Sequence, residues 1–529
     1  MKSINLIIFT IIISIICLNA DAQVTEQWVK AYNHSGISSD ISYGIAVDNS
    51  GNSYVTGSIV NGSQRTDYAT IKYNSSGARE WLRIYNGTSN NLDYGRDIVT
   101  DNAGNIYVTG TANVDGSCVT IKYNPAGDSL WVRDYFYGAG YNIVSDASNN
   151  IYVAGKWGDA SVSDYLVIKY NSTGAELWSK KYNGSGNGPD VANGLVIDDA
   201  GNVYVTGAVY AGPTYNIATV KYNSSGVQQW DAIYDGPDLN SSSGTDVDVD
   251  NSGNVFVTGY SDSAVTGRDF VTIKYNSSGV KQWLKRFHDG YDEAISVKVF
   301  DENNIYVTGP SYNATRPDDI MIIKYNSAGE QQWLKYEGTS GTDRPTKMIL
   351  DDAGNIYITG LSRIMSWEDV TTVKYNPSGV RVWKINYTGP DNFPDTGLDL
   401  AIDNSGNVYV TGRTYTATTA EDFLTLKYSQ STGIQNSSSE IPDAYGLSQN
   451  YPNPFNPSTK FEFTIPKDEF VSIKIYDVLG KEAGVLVNSD LQAGSYEINF
   501  DGSGFTGGMY FCRMSAGEFV EVRKMVLLK

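Results

Sequence analysis

The sequence predicts an all-β chain in which one four-stranded unit is used eight times, followed by a smaller all-β domain. Three observations predict it. A segment of the form Asp-x-x-Gly-Asn-x-Tyr-Val-Thr-Gly recurs with local variations, ending at Gly57, Gly110, Gly155, Gly207, Gly259, Gly309, Gly360 and Gly412, mostly 50 to 53 residues apart. Each copy is followed by a lysine-tyrosine signature such as Ile71-Lys72-Tyr73-Asn74, then in most copies by a tryptophan at a nearly fixed distance, as at Trp81, Trp131 and Trp178. The runs within a unit are short, β-branched and aromatic, which is strand periodicity rather than helix periodicity.

Each element follows from this pattern. In the second unit the strands are expected around Asp97–Asp101, Ile106–Thr109, Val119–Tyr123 and Trp131–Tyr135. Asn49-Ser50-Gly51-Asn52 joins the first strand to the second and Asn74-Ser75-Ser76-Gly77 the third to the fourth, supplying the Asn and Gly that tight hairpins require. A four-stranded meander of about 50 residues, repeated without helices, is the pattern of propeller blades. The eighth unit has its Leu426-Lys427-Tyr428 strand but no tryptophan strand after it, while an orphan copy, Trp28-Val29-Lys30-Ala31-Tyr32, precedes the first unit. The prediction is therefore an eight-bladed β-propeller, residues 23–428, closed by its N-terminal strand so that no blade edge stays unpaired. On these motifs residues 26 to 428 resemble the bacterial beta-propeller repeat family, which implies a fold and a surface location but no activity.

Both ends point to export. Lys2, the apolar run Leu6 to Leu18 and Ala20-Asp21-Ala22 read as a signal peptide, residues 1–22, and the run is too short to span a bilayer. No later stretch is apolar enough to do so. The cysteines, Cys17, Cys118 and Cys512, offer no disulfide framework. Residues 429–442 are rich in Ser, Thr, Gln and Asn and read as a flexible linker. Residues 443–529 then alternate as strands near Lys460–Ile465, Val471–Tyr476, Ser495–Phe500, Met509–Met514 and Phe519–Leu527, fitting a small Ig-like β-sandwich.

This last domain is similar to the C-terminal sorting domains of type IX secretion cargo. The resemblance rests on Gln449 to Pro457, Ile475-Tyr476-Asp477-Val478-Leu479-Gly480, Ala493-Gly494-Ser495-Tyr496, Gly508-Met509-Tyr510-Phe511 and the terminal Lys524-Met525-Val526-Leu527-Leu528-Lys529. It implies Sec export from a Gram-negative cell of the Bacteroidetes or relatives, with the type IX machinery as partner of residues 443–529. Passage across the outer membrane follows, often with cleavage of the domain and attachment at the surface.

The charge limits the remaining partners. With 59 acidic against 39 basic residues and a net charge of −20, the chain repels nucleic acid. The repeated lysines and tryptophans read as blade contacts, with the hairpin aspartate as the expected partner of the lysine, because eight copies of one lysine cannot each be catalytic. No cofactor is expected, although the Asp-x-x-Gly-Asn hairpins also present oxygen ligands of the kind calcium takes. Candidate ligand-binding residues are those that break the repeat in the variable connections, on the face opposite the tight hairpins. These are Trp157 and Asp159 in the third unit, Trp367 and Glu368 in the seventh, and His34 and His288 between units. The short spacing between Gly110 and Gly155 predicts a notch in that rim. Two distant histidines and no nucleophile motif give little support for catalysis. The sequence thus favours a non-catalytic binding or adhesion module for a surface glycan or protein. A polysaccharide-active enzyme and a structural surface-layer component are the alternatives.

Overall fold

The computed structural model describes residues 24–61, 65–87, 92–112, 116–237, 240–313, 316–363, 367–430, 435–438, 441–478, 480–491, 493–502 and 505–528. The expected signal peptide lies outside them. The described residues fall into two compact units, one within Val24–Gln430 and one within Ser431–Lys529.

The first unit is a series of antiparallel sheets and holds no helix among the described residues. Its first sheet runs Ile41–Val47, Ser53–Asn61, Arg65–Tyr73, Arg79–Tyr85, each strand bonded to the next. The second repeats that order in Tyr94–Thr100, Ile106–Ala112, Ser117–Tyr123 and Ser129–Phe136. The third to seventh sheets follow in chain order and begin at Gly138, Val191, Ser242, Tyr291 and Asp343. The eighth contains Asp395–Ile402, Val408–Thr416 and Ala420–Gln430, and its outer strand is Val24–Tyr32 from the other end of the chain. The first strands of successive sheets lie side by side, and the first strand of the first sheet lies against that of the eighth.

The repeated residues are explained by how each sheet meets the next. In each first strand the register slips by one residue near its start, as between Gly95 and Asp97. This bulge pushes the strand onto the motif glycine opposite: a Cβ on Gly110 would stand 1.9 Å from the Tyr94 carbonyl oxygen, and on Gly412 1.9 Å from that of Thr396. The hairpin aspartate closes its own loop. Asp48 accepts the Ser50 and Asn52 amides on one oxygen and Asn52 Nδ2 and the Tyr54 hydroxyl on the other.

The lysine and the tryptophan share one acceptor on the following sheet. Lys72 Nζ and Trp81 Nε1 both donate to the Pro125 carbonyl, at 3.2 Å each, and Lys122 and Trp131 to that of Ser172, at 2.9 and 3.3 Å. Lys427 and Trp28 of the eighth sheet donate at 3.2 Å to Ser75 of the first. These acceptors sit in third-to-fourth hairpins, so all the tight hairpins occupy one face of the unit and the variable connections the other. The lysine was expected to reach the hairpin aspartate. In the seventh sheet it does lie 4.0 Å from Asp351, but its hydrogen bond goes to the next sheet.

The second unit pairs two four-stranded sheets over one core. Phe461, Phe463 and Ile498 of one sheet pack with Ile473, Ile475, Cys512 and Met514 of the other. Three strands depart from expectation, one of them the short Gly446–Leu447, which pairs with Ser458–Ile465. Gln435–Ser438, within the expected linker, pairs with Gly494–Asp501, and Glu482–Leu491 pairs with Glu469–Tyr476. A polar stretch reads as loop by composition, yet an edge strand needs only its backbone amides and carbonyls.

Candidate binding face

The variable connections are tied down at their bases by a recurring aspartate. Asp40, Asp93, Asp190, Asp292, Asp343 and Asp395 start their first strands and are wholly buried. Each accepts an amide of the connection before it: His34 N at 2.6 Å to Asp40, Gly87 N at 2.7 Å to Asp93, Gly184 N at 2.7 Å to Asp190. Burial raises the carboxyl pKa of Asp40, Asp190, Asp292 and Asp395. The connections are thereby presented on fixed stems. Each stands 17 residues before its motif glycine, as Asp40 before Gly57 and Asp395 before Gly412, so the spacing was there to be read in the sequence, with Gly138 and Ser242 in that place in the third and fifth sheets.

The six candidates occupy this face, where Trp157 and Asp159 meet on Tyr137 while those of different sheets stay apart. Trp157, in the strand Ile151–Gly158, meets the Tyr137 ring edge-on at 5.9 Å and carries the Lys181 ammonium 3.1 Å above its ring centre. Asp159 accepts the Tyr137 hydroxyl at 2.9 Å and three donors from Ser161 and Val162, bonds that hold its carboxyl well below the usual range. Tyr137 alone links the second sheet to the third and takes φ +63°, a conformation bulky residues rarely adopt. With Phe136 stacked on it and 66% exposed, this forms one aromatic cluster at the expected notch. The other side of that notch includes residues 113–115, outside the described residues.

Trp367, 48% exposed, stands 5.9 Å from Phe393, which stands 5.1 Å from Tyr415, so a second aromatic row crosses from the seventh sheet to the eighth. Glu368 is paired with Arg363 at 2.6 Å. His34 bonds the Tyr32 hydroxyl through Nδ1 at 3.0 Å, and His288 is exposed beyond Lys281–Phe287. A third group unites Tyr260, Arg268 and Tyr291, with the guanidinium 3.7 and 5.2 Å from the two rings. Sequence reading missed it, since tyrosines are abundant and only the fold joins these three.

The first strands also enclose charges that the sequence does not reveal. Asp97, Asp246, Asp248 and Asp399 follow the bulges of the second, fifth and eighth sheets. Each reaches across to a backbone amide of the next sheet: Ile143 from Asp97, Val297 from Asp246, Val299 from Asp248 and Ile45 from Asp399, at 2.7 to 3.1 Å. Lys298 pairs with Asp246 at 2.9 Å and Lys347 with Asp399 at 3.5 Å. The Lys347 charge is felt by Asp399, Asp97 and Asp246, and chiefly Asp399 raises its pKa. Carboxylates of three different sheets therefore act on one ammonium group, with Asp399 in ion-pair contact. Burial pushes Asp97 and Asp248 up to about 6, opposed by Lys347 and Lys298 respectively. These groups are partly exposed to water, the Lys347 side chain at 43% and that of Lys298 at 26%.

On the hairpin face a cleft of about 370 Å3 lies between the first and second sheets, lined by Asp48, Lys72, Asp101 and Pro125. Among the described residues, no three His, Cys, Asp or Glu side chains are grouped to hold a metal ion. Nor do the described residues contain a helix long and apolar enough to cross a membrane.

In the second unit the structure joins the two ends of the sorting-type motif. Gln449 Nε2 and Asn453 Nδ2 donate to the Lys524 carbonyl at 2.8 and 3.0 Å, and Phe455 exchanges backbone bonds with Val526 and Leu528. Two family models match the chain. The beta-propeller repeat matches residues 27–61, 80–116 and 332–363, and the secretion system C-terminal sorting domain matches residues 449–528. No curated protein matches the sequence. Among solved structures, the Dos1 propeller is 8% identical with a TM-score of 0.48, over 76% of this chain and 96% of its own. Sqt1 of Chaetomium thermophilum is 10% identical at 0.47, over 76% and 98%, and the polysaccharide lyase Uly1 is 10% identical at 0.40, over 66% and 92%. This chain thus carries beta-propeller repeats and ends in a type IX secretion sorting domain, so it is a propeller protein exported to the cell surface or secreted.

Proposed function

We propose that residues 24–430 are an eight-bladed propeller, latched by Val24–Tyr32, that binds surface or extracellular glycan on its variable face without catalysis. The observation that carries this reading is the set of aromatic groups on that face, above all the row Trp367, Phe393 and Tyr415. Flat aromatic faces on fixed stems suit the apolar faces of sugar rings. The inner carboxylates favour the non-catalytic reading, because each already accepts backbone amides that hold neighbouring sheets together. Export by Sec and then type IX secretion delivers the module to its ligands, with Trp157, Asp159, Glu368, His34 and His288 as further contacts on the same face.

A glycan array probed with the mature chain and with the double variant Trp367→Ala, Phe393→Ala tests this. The expected result is binding by the mature chain, a loss of about tenfold or more in the variant, and no reducing ends released from any bound glycan. Turnover of a bound glycan would replace this reading with a polysaccharide-active one. Absence of any binding would sink both.

A further inference from the structure

The bulged residue of three first strands has one shared task, and the first three sheets depart from it. In the fourth, fifth and seventh sheets this residue is Asn193, Thr245 or Thr346. Each donates its side chain to a carbonyl of the next sheet, Gly244, Ala294 or Gly397, at 2.7 to 2.8 Å. In the first three sheets the same position carries Tyr43, Arg96 and Tyr141. The bond from the second sheet to the third is made instead by Asp97, which accepts the Ile143 amide. Arg96 is released from that task.

Arg96 is released into an aromatic setting and left without an anion. Its guanidinium lies 5.0 Å from the Tyr43 ring centre and 5.2 Å from that of Tyr94, and its charge reaches the Tyr141 hydroxyl. Its Nε is shielded from water and bonds to nothing, and among the described residues no carboxylate pairs with it. A shielded donor without an acceptor is costly, and a chain with net charge −20 has carboxylates in excess. Tyr94 opens its strand at the variable rim and Arg96 is two residues in, so the group lies at that end of the axis. Deeper along it, four carboxylates, Asp97, Asp246, Asp248 and Asp399, stand against Lys298 and Lys347.

We propose that Arg96, with Tyr43, Tyr94 and Tyr141, is a subsite for the carboxylate of an acidic sugar, a uronate unit of a polyanionic glycan. The planar fork of arginine matches a planar carboxylate through two parallel N–H donors. The tyrosines add ring faces for the sugar and hydroxyls for its oxygens, while the carboxylates below stop the anion at the rim. The assignment rests on the glycan-binding reading and names the glycan class within it.

Calorimetric titration of the mature chain with tetragalacturonate and with its neutral methyl ester tests the subsite, using Arg96→Gln and Arg96→Lys. The free acid should bind about tenfold or more tightly than the ester. Arg96→Gln should abolish that preference at an unchanged melting temperature, and Arg96→Lys should keep only part of it, because an ammonium has no fork. If Arg96→Gln fails to fold, the lysine variant decides: a preference equal to that of the native chain overturns the proposal. Native chain that binds both forms equally overturns the subsite and leaves the aromatic face intact. Native chain that binds neither form overturns the subsite, and the glycan array then decides the wider reading.

Discussion

A methyl group placed on Gly110 would meet the Tyr94 carbonyl oxygen at 1.9 Å, backbone against backbone, with nothing flexible to move aside. Gly406 differs: it has φ +76°, but a Cβ added there would find nothing within 4 Å. Gly406→Ala should therefore cost only about 1 kcal/mol for the backbone conformation, whereas Gly110→Ala should cost more than about 3 kcal/mol by displacing a strand. Chemical denaturation of the two variants checks the ranking. At the same scale, Asp248 takes up its proton at about 6 in the folded chain because burial disfavours its charge, against an ordinary value of 3.8. The folded state thus binds the proton more tightly. The stability this contributes is full below about pH 4 and is lost as pH rises through about 6. Asp248→Asn should remove that dependence, so the melting temperature of the native chain minus that of the variant should grow as pH falls from about 7 to about 4. A constant difference would count against it.

Among the elements, the eighth sheet is the irregular one, and its irregularity is repaired by one side chain. Lys374 and Trp383 of the seventh sheet need the hairpin carbonyl that their counterparts find on the following sheet. The eighth sheet has no third-to-fourth hairpin, because its fourth strand comes from the other end of the chain. Gln430 supplies the acceptor: its Oε1 takes Lys374 Nζ at 2.8 Å and Trp383 Nε1 at 3.1 Å, while its Nε2 is held by the Gly406 carbonyl at 2.6 Å. Gln430→Ala should cost roughly 2 kcal/mol by leaving both donors without it, read by thermal unfolding. The displaced strand was legible in the sequence from Trp28. Gln430 was not, since a side chain standing in for a main-chain carbonyl belongs to no repeat.

For the whole molecule, the period of the motif made the repeated sheets legible and the sorting motifs made the destination legible. The inner charges were not, because Asp97, Asp246 and Asp399 come from distant units and only the bulges turn them to the common axis. Aromatic residues were likewise too common for Tyr260 and Tyr291 to stand out. Removal of residues 443–529 should leave the propeller in the periplasm, as cell fractionation would show, and undiminished appearance in the medium would contradict export by this domain. The strand Val24–Tyr32 carries a further consequence, in time rather than in space. The bond from Gln27 to Ser429 spans 402 residues, so a segment made early in synthesis waits for one made late before it finds its place. Until then Ala420–Gln430 offers a bare edge to any extended peptide. A chain lacking residues 24–32 should accordingly capture a synthetic Val24–Tyr32 peptide supplied separately, and do so more tightly than a scrambled one.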